Sequence, residues 1–265
     1  MTRPLLALLI LLSFAATALA EGGVRKVRPR PYLFGSVTMA SGATPTGTPA
    51  VTFDHWSHRK AFTCRLCHVD LGFAMTAGAT QVRAADNARG EFCGACHDGK
   101  RRFGEQPLFA ACRPDAKPSA EPCTRCHAAA ASPDREKRFL AFSAGLPRER
   151  FGNGIDWEKS EIEGKIRLQD TLEGISVKRK PLGVREDFDL TANLEGMPEI
   201  LFSHKKHTAW AGCELCHPDL FIGVKRGTTR YSMVDLFAGR YCGACHDKVA
   251  FPQSDCQRCH TQPVQ

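Results

Sequence analysis

The sequence predicts short helices and loops with little regular sheet, arranged as two related halves around something other than an ordinary side-chain core. Three observations carry this. Six Cys-x-x-Cys-His pentapeptides punctuate the 265 residues. Sequence elements recur at an offset of 149 residues. Sixteen prolines and 23 glycines interrupt nearly every stretch long enough for a regular bundle or sheet.

At the N-terminus, MTRPLLALLILLSFAATALA carries Arg3, an apolar run from Leu5 to Leu12 and Ala18-Leu19-Ala20, the pattern of a cleavable secretory signal. Residues 1–20 are therefore expected to be removed, leaving Glu21 first. No cysteine follows the cleavage site, so no lipid anchor is indicated, and no later apolar stretch approaches membrane-spanning length. The expected location is the periplasm or the exterior of the cell. Residues 21–48 begin basic (Arg25, Lys26, Arg28, Arg30), become rich in Gly, Thr and Pro, and read as a flexible tail.

Thirteen cysteines in an exported chain first suggest disulfides. Their arrangement argues otherwise. Twelve form pairs: Cys64 with Cys67, Cys93 with Cys96, Cys123 with Cys126, Cys213 with Cys216, Cys242 with Cys245 and Cys256 with Cys259. A histidine follows each pair, giving His68, His97, His127, His217, His246 and His260. Two cysteines at this spacing can form thioethers with the two vinyl groups of one haem, and the adjacent histidine then sets its imidazole below the iron. Zinc knuckles use similar pairs, but four-thiolate sites leave all six histidines unexplained. Six covalently bound haem c groups are the expected cofactors. Their macrocycles would supply much of the buried apolar area that side chains give an ordinary core.

The repeat sets the domain plan. Pro49-Ala-Val-Thr-Phe-Asp-His55 recurs as Pro198-Glu-Ile-Leu-Phe-Ser-His204, and His58, Cys64 and Cys93 map without a gap onto His207, Cys213 and Cys242. CGACHD stands unchanged at 93–98 and 242–247. Beyond it the register shifts, because the first half holds a 16-residue insertion around Phe103–Ala120. The expected modules are residues 49–127 and 198–265, with three attachment sites each, joined by a linker over 128–197. In that linker AAAASPDREKR reads as a solvated link and IDWEKSEIEGKIRLQ as including a short helix. It is expected to be a spacer that packs the modules together; a partner-docking surface is the alternative.

Ten histidines occur in all. Six follow attachment cysteines, and the other four are His55, His58, His204 and His207. A low-spin electron-transfer haem wants a second axial ligand. Phe-x-His-x-x-His places its histidines about one helical turn apart on one face, so each can reach a different iron. These four are the expected distal ligands.

Phe-x-His-x-x-His, CELCH, YSMVDLFAGRYCGACHDKVAFP and CQRCH within residues 202–260 resemble c7-type triple-haem cytochromes and the related repeats of larger multihaem "nanowire" cytochromes. Residues 53–127 resemble them less closely, and 128–197 lie outside the resemblance. It implies a multihaem c-type cytochrome of two c7-like triple-haem modules, with helices and loops wrapped around the haems. It also implies that His55 serves the His68 haem and His58 the His97 haem, while His204 and His207 serve the His217 and His246 haems. The remaining distal ligand, His or Met, then falls shortly before the second attachment site. Met233 stands there in the second module, where a gap-filling packing residue is the alternative. Ala84 stands there in the first, leaving Met75, Cys112 or an open site for the His127 haem.

Several haems held close together by one chain make sense as a conductor of electrons. The sequence has no Gly-rich phosphate loop, no Gly-x-Ser-x-Gly and no flavin fingerprint. Its formal charge of +8 does not imply nucleic-acid binding, because the excess Lys and Arg can balance haem propionates. The expected protein is an electron carrier rather than an enzyme, working in anaerobic respiration or extracellular metal reduction. Its expected partners are other redox proteins, such as further cytochromes or a quinol-oxidising complex, and peripheral membrane contact is compatible with its charge. Two alternatives stand beside this: a small-molecule reductase using an open iron at His127, and a subunit of a cytochrome assembly or filament.

Overall fold

The computed structural model describes residues 28–39, 49–112, 121–180, 183–192, 196–223, 225 and 227–261. The expected signal peptide lies outside the described residues. Among those described, no helix is long and apolar enough to cross a membrane.

Regular structure is sparse, as expected. Strand β1 (Ser36–Met39) pairs antiparallel with β2 (Val51–Asp54), and β3 (Arg102–Phe103) pairs with β4 (Gln106–Pro107) inside the insertion. Strand β5 (Phe188–Leu190) pairs with β6 (Ile200–Phe202). The helices are α1 (His55–Arg59), α2 (Ala84–Ala88), α3 (Glu121–Thr124), α4 (Pro133–Ser143), α5 (Trp157–Ile162), α6 (His204–Ala211) and α7 (Met233–Phe237). Helices this short do not persist alone, so their ends are fixed by side chains. Ser132, Asp156, Ser203 and Ser232 each accept from the backbone three residues on, at Arg135, Lys159, Lys206 and Asp235.

The side-chain core gathers on the middle segment. Tyr32, Trp56, Phe139, Ile155, Trp157 and Ile166 form one buried cluster, with Phe142 and Trp210 packed against it. Trp56 comes from α1, Trp210 from α6, and four of the six buried members from residues 139–166. Each such side chain contributes roughly 1.5–3 kcal/mol by leaving water. IDWEKSEIEGKIRLQ contains α5, as expected.

Two expectations are corrected here. AAAASPDREKR is more than a solvated link: Asp134, Lys137 and Arg138 stay exposed, but Ser132 caps α4, and Arg135 is 1% exposed and ion-paired with Asp54 of β2. A charge stays in that position because its partner is buried with it. Residues 31–39 are likewise not a flexible tail. Tyr32 is 2% exposed in the core, β1 extends β2, Arg28 lies over the Phe151 ring and Arg30 pairs with Glu136.

Candidate haem attachment sites

Five of the six attachment motifs are folded as one tight turn, and the first runs into the π-helical segment Leu66–Asp70. In five of the six, the amide of the histidine donates to the carbonyl of the first cysteine, at 2.9 Å for His97, 2.8 Å for His127, 3.0 Å for His217, 3.0 Å for His246 and 2.9 Å for His260. The repeated CGACH needs its glycine. A Cβ on Gly94 would stand 1.8 Å from the Asn87 carbonyl oxygen, and one on Gly243 would stand 2.1 Å from that of Leu236. Those carbonyls close α2 and α7, so the glycine lets each helix sit directly on its attachment turn.

None of the thirteen cysteines is joined to another in a disulfide. Burial pushes Cys67, Cys93 and Cys245 up to about 12 and Cys242 up to about 11. Reactive redox cysteines show the opposite, a thiolate favoured by nearby positive charge. Among the described residues, no three or more His, Cys, Asp or Glu side chains converge on one point, whereas a structural zinc needs four ligands.

The histidines face one another in pairs. His55 and His68 have ring centroids 6.3 Å apart and planes within 8° of parallel. His58 and His97 are 6.1 Å apart at 71°, and His207 and His246 are 6.3 Å apart at 58°. An imidazole nitrogen stands roughly 2 Å from a metal it ligates, so two rings on opposite sides of one metal ion have centroids roughly 6 Å apart. All three spacings fit an iron between the rings. For the related His204 and His217, the ring neighbours described are Phe188 and Phe202 for the first and Phe221 for the second.

Apart from His97, whose Nδ1 is buried without a hydrogen-bond partner, the far nitrogens of these rings lie against backbone. Nδ1 of His55 donates to the Gly35 carbonyl at 2.7 Å, His68 to Phe73 at 2.8 Å, His204 to Glu186 at 2.9 Å and His207 to Ser203 at 2.8 Å. His217 donates to Phe221 at 2.7 Å and His246 to Phe251 at 3.1 Å. His58 Nδ1 lies 2.9 Å from the Ser57 hydroxyl and 3.4 Å from the Asp54 carbonyl. A carbonyl can only accept, so the proton sits on Nδ1 and the Nε2 lone pair is left for a metal. Burial also lowers the pKa of His55, His68, His97 and His207, and brings His58 and His246 down to about 4. These imidazoles are neutral, as ligation requires.

The third site of each module is built alike. His127 donates to the Pro49 carbonyl at 2.8 Å and His260 to that of Pro198 at 2.6 Å, the same pair of positions in the repeat. Met233 is the first residue of α7 and 37% exposed, and Ala84 is the first residue of α2. Met75 is half-buried in the loop that follows Phe73. Cys112 accepts a hydrogen bond from the Asn87 side chain at 3.4 Å and interacts electrostatically with Cys93 and Cys126.

Two sets of residues escaped the sequence reading. Strands from upstream of each expected module supply carbonyls to its first distal histidine, through Gly35 just before β1 and Glu186 just before β5. The second set packs on the middle proximal histidine. Phe251 stands 4.3 Å from His246 and lies under Arg258; Phe109 stands 4.4 Å from His97 and lies under Arg125. Phe251 follows its histidine by five residues and Phe109 by twelve, so the insertion lengthens the loop yet restores the stack. Offsets that differ this much hide the equivalence from a register search.

The family described as "Cytochrome c7 and related cytochrome c" matches residues 51–129 and 200–261. The chain belongs to this family. It is a multihaem c-type cytochrome of two c7-like modules, and cytochromes of this kind carry electrons. Among solved structures, a "c7-type three-heme cytochrome domain" is 36% identical over 29% of this chain and 93% of its own, with a TM-score of 0.26. The C-terminal hexaheme fragment of GSU1996 is 24% identical over 89% of this chain and 100% of its own, with a TM-score of 0.26. The dodecaheme cytochrome c GSU1996 is 22% identical over 86% of this chain and 74% of its own, again with a TM-score of 0.26. No curated protein matches the chain.

Proposed function

We propose that this cytochrome carries six haem c groups and relays electrons between redox proteins in the periplasm or outside the cell, within anaerobic respiration or extracellular metal reduction. The three facing histidine pairs are the observation that supports it most: His55 with His68, His58 with His97 and His207 with His246. Haem, when bound, supplies an iron that takes up and returns one electron. The twelve paired cysteines fix its position by thioether bonds. His68, His97, His127, His217, His246 and His260 would each ligate the iron of the haem attached beside it. His55, His58, His204 and His207 would supply the further ligand at four sites, and Met233 at the His260 site. The backbone carbonyls of Gly35, Phe73, Ser203 and Phe251 lock the imidazole rings in the tautomer that leaves Nε2 free.

Replacing His58 by alanine tests this. His58→Ala is expected to convert one haem to high spin while the attached number stays as in the wild type, read by electron paramagnetic resonance and intact mass. An unchanged low-spin spectrum would show that His58 is not an axial ligand.

A further inference from the structure

The contact between the modules has an unusual centre. Arg59 closes α1 in the first module, and its guanidinium lies 4.7 Å from the Trp157 ring and 4.6 Å from the Trp210 ring. Trp157 belongs to the middle segment and Trp210 to α6 of the second module. One Arg59 nitrogen donates to the Val249 carbonyl at 2.5 Å. The Val249 amide in turn donates to the Cys245 carbonyl at 2.9 Å, so the bond ends on the turn that follows the second attachment site of module two. The bond therefore ties α1 of module one to the turn after the second attachment site of module two.

This charge is held in a costly way. Burial draws the Arg59 pKa down to about 10, which still leaves it protonated at neutral pH, and its Nε is buried without a hydrogen-bond partner. Two aromatic faces and a carbonyl offset the lost hydration. The same seam also has ordinary ion pairs: Arg65 with Asp70 and Asp170, and Arg179 with Asp70 and Glu214. Those pairs bring the segments together with two arginines shared among three carboxylates. Arg59 instead has no ion pair among the described residues, with Glu161 the acidic group that acts on it, and sets its charge beside the turn that follows Cys245. Its counterpart in the repeat is Thr208, so the feature belongs to the junction and not to the haem cradle common to both halves.

We propose that Arg59 is the positioning residue of the inter-module crossing, pinning α1 of module one against the turn that follows Cys245 in module two and holding there a fixed positive charge that raises the reduction potential of the groups attached. The inference rests on the six-haem reading above.

The test uses the exported holoprotein as wild type, Arg59→Gln, Arg59→Lys and Trp210→Leu. Intact mass comes first: a wild type without six haems defeats the underlying reading and not this one. With six present, spectroelectrochemical titration of Arg59→Gln is expected to show a downward shift of at least one potential, and Arg59→Lys to restore it towards the wild-type value. Limited proteolysis of Trp210→Leu, which retains the charge and removes one ring, is expected to cut between the modules faster than in the wild type. Potentials in Arg59→Gln that match the wild type, or that Arg59→Lys leaves shifted as far as Arg59→Gln does, overturn the electrostatic part. Wild-type cleavage rates in both Trp210→Leu and Arg59→Gln overturn the pin. Should Arg59→Gln attach fewer haems, Arg59→Lys and Trp210→Leu decide the two parts by the same readings.

Discussion

Met233 and Ala84 occupy the same place in the two repeats, the first position of a five-residue helix that rests on a CGACH turn. A thioether can serve iron there and a methyl group cannot, so the difference should distinguish the third site of one module from that of the other. Thioether ligation raises a haem potential relative to imidazole, because imidazole favours the ferric state more strongly. Met233→His is therefore expected to lower one potential in a redox titration and leave the rest in place. If every potential stays where it was, Met233 is a packing residue. The residues that carry the chemistry are the most legible part of this sequence. Cys-x-x-Cys-His is fixed by bond geometry, and three of the pairs that the c7 resemblance implies have ring centroids 6.1–6.3 Å apart. The carbonyl partners of those histidines are not legible, because any residue type supplies a carbonyl and only the fold chooses which.

At the scale of elements, the insertion is the informative case. Its short hairpin, β3 with β4, delivers Phe109 to His97 just as the shorter loop delivers Phe251 to His246. Arginine covers both phenylalanines from the third attachment motif, at 5.0 Å for Arg125 and 4.8 Å for Arg258. An apolar cover of this kind keeps water from the proximal ligand, and solvent access is one of the determinants of haem potential. Phe109→Ala and Phe251→Ala are accordingly expected to shift one potential each in the same, downward direction. Shifts of opposite sign, or none in Phe109→Ala, would mean that the insertion serves some other purpose. The helices show why local pattern falls short here. Helix α4 opens Pro-Asp-Arg-Glu-Lys-Arg, a polar run in which only Arg135 is buried, and that burial depends on Asp54, a residue 81 positions away. Its apolar contribution, Phe139 and Phe142, is too sparse to give a helical period.

The whole molecule is two haem-binding modules set on a side-chain core drawn from the middle segment. Sequence pattern alone assigns much of the core to the cofactors and makes 128–197 a spacer that packs the modules together, without showing the cluster it builds, since isolated aromatics among charged residues do not announce one. Tyr32, Trp56 and Trp157 come from three separate stretches and meet only in the folded chain. Trp157, 8% exposed and donating to the Asn153 side chain at 3.2 Å, lies at the meeting point of that core and the junction. Trp157→Ala is expected to cost about 3–5 kcal/mol, as large-to-small changes in cores do, read as a fall in denaturant midpoint. A midpoint unchanged by the substitution would return the middle segment to the role of a spacer. The claim on which the rest depends is that the chain is a six-haem exported cytochrome. Intact mass of the protein purified after export tests it most directly. The predicted result is the chain beginning at Glu21 plus six haems; fewer than six haems, or zinc or disulfides in their place, would contradict it.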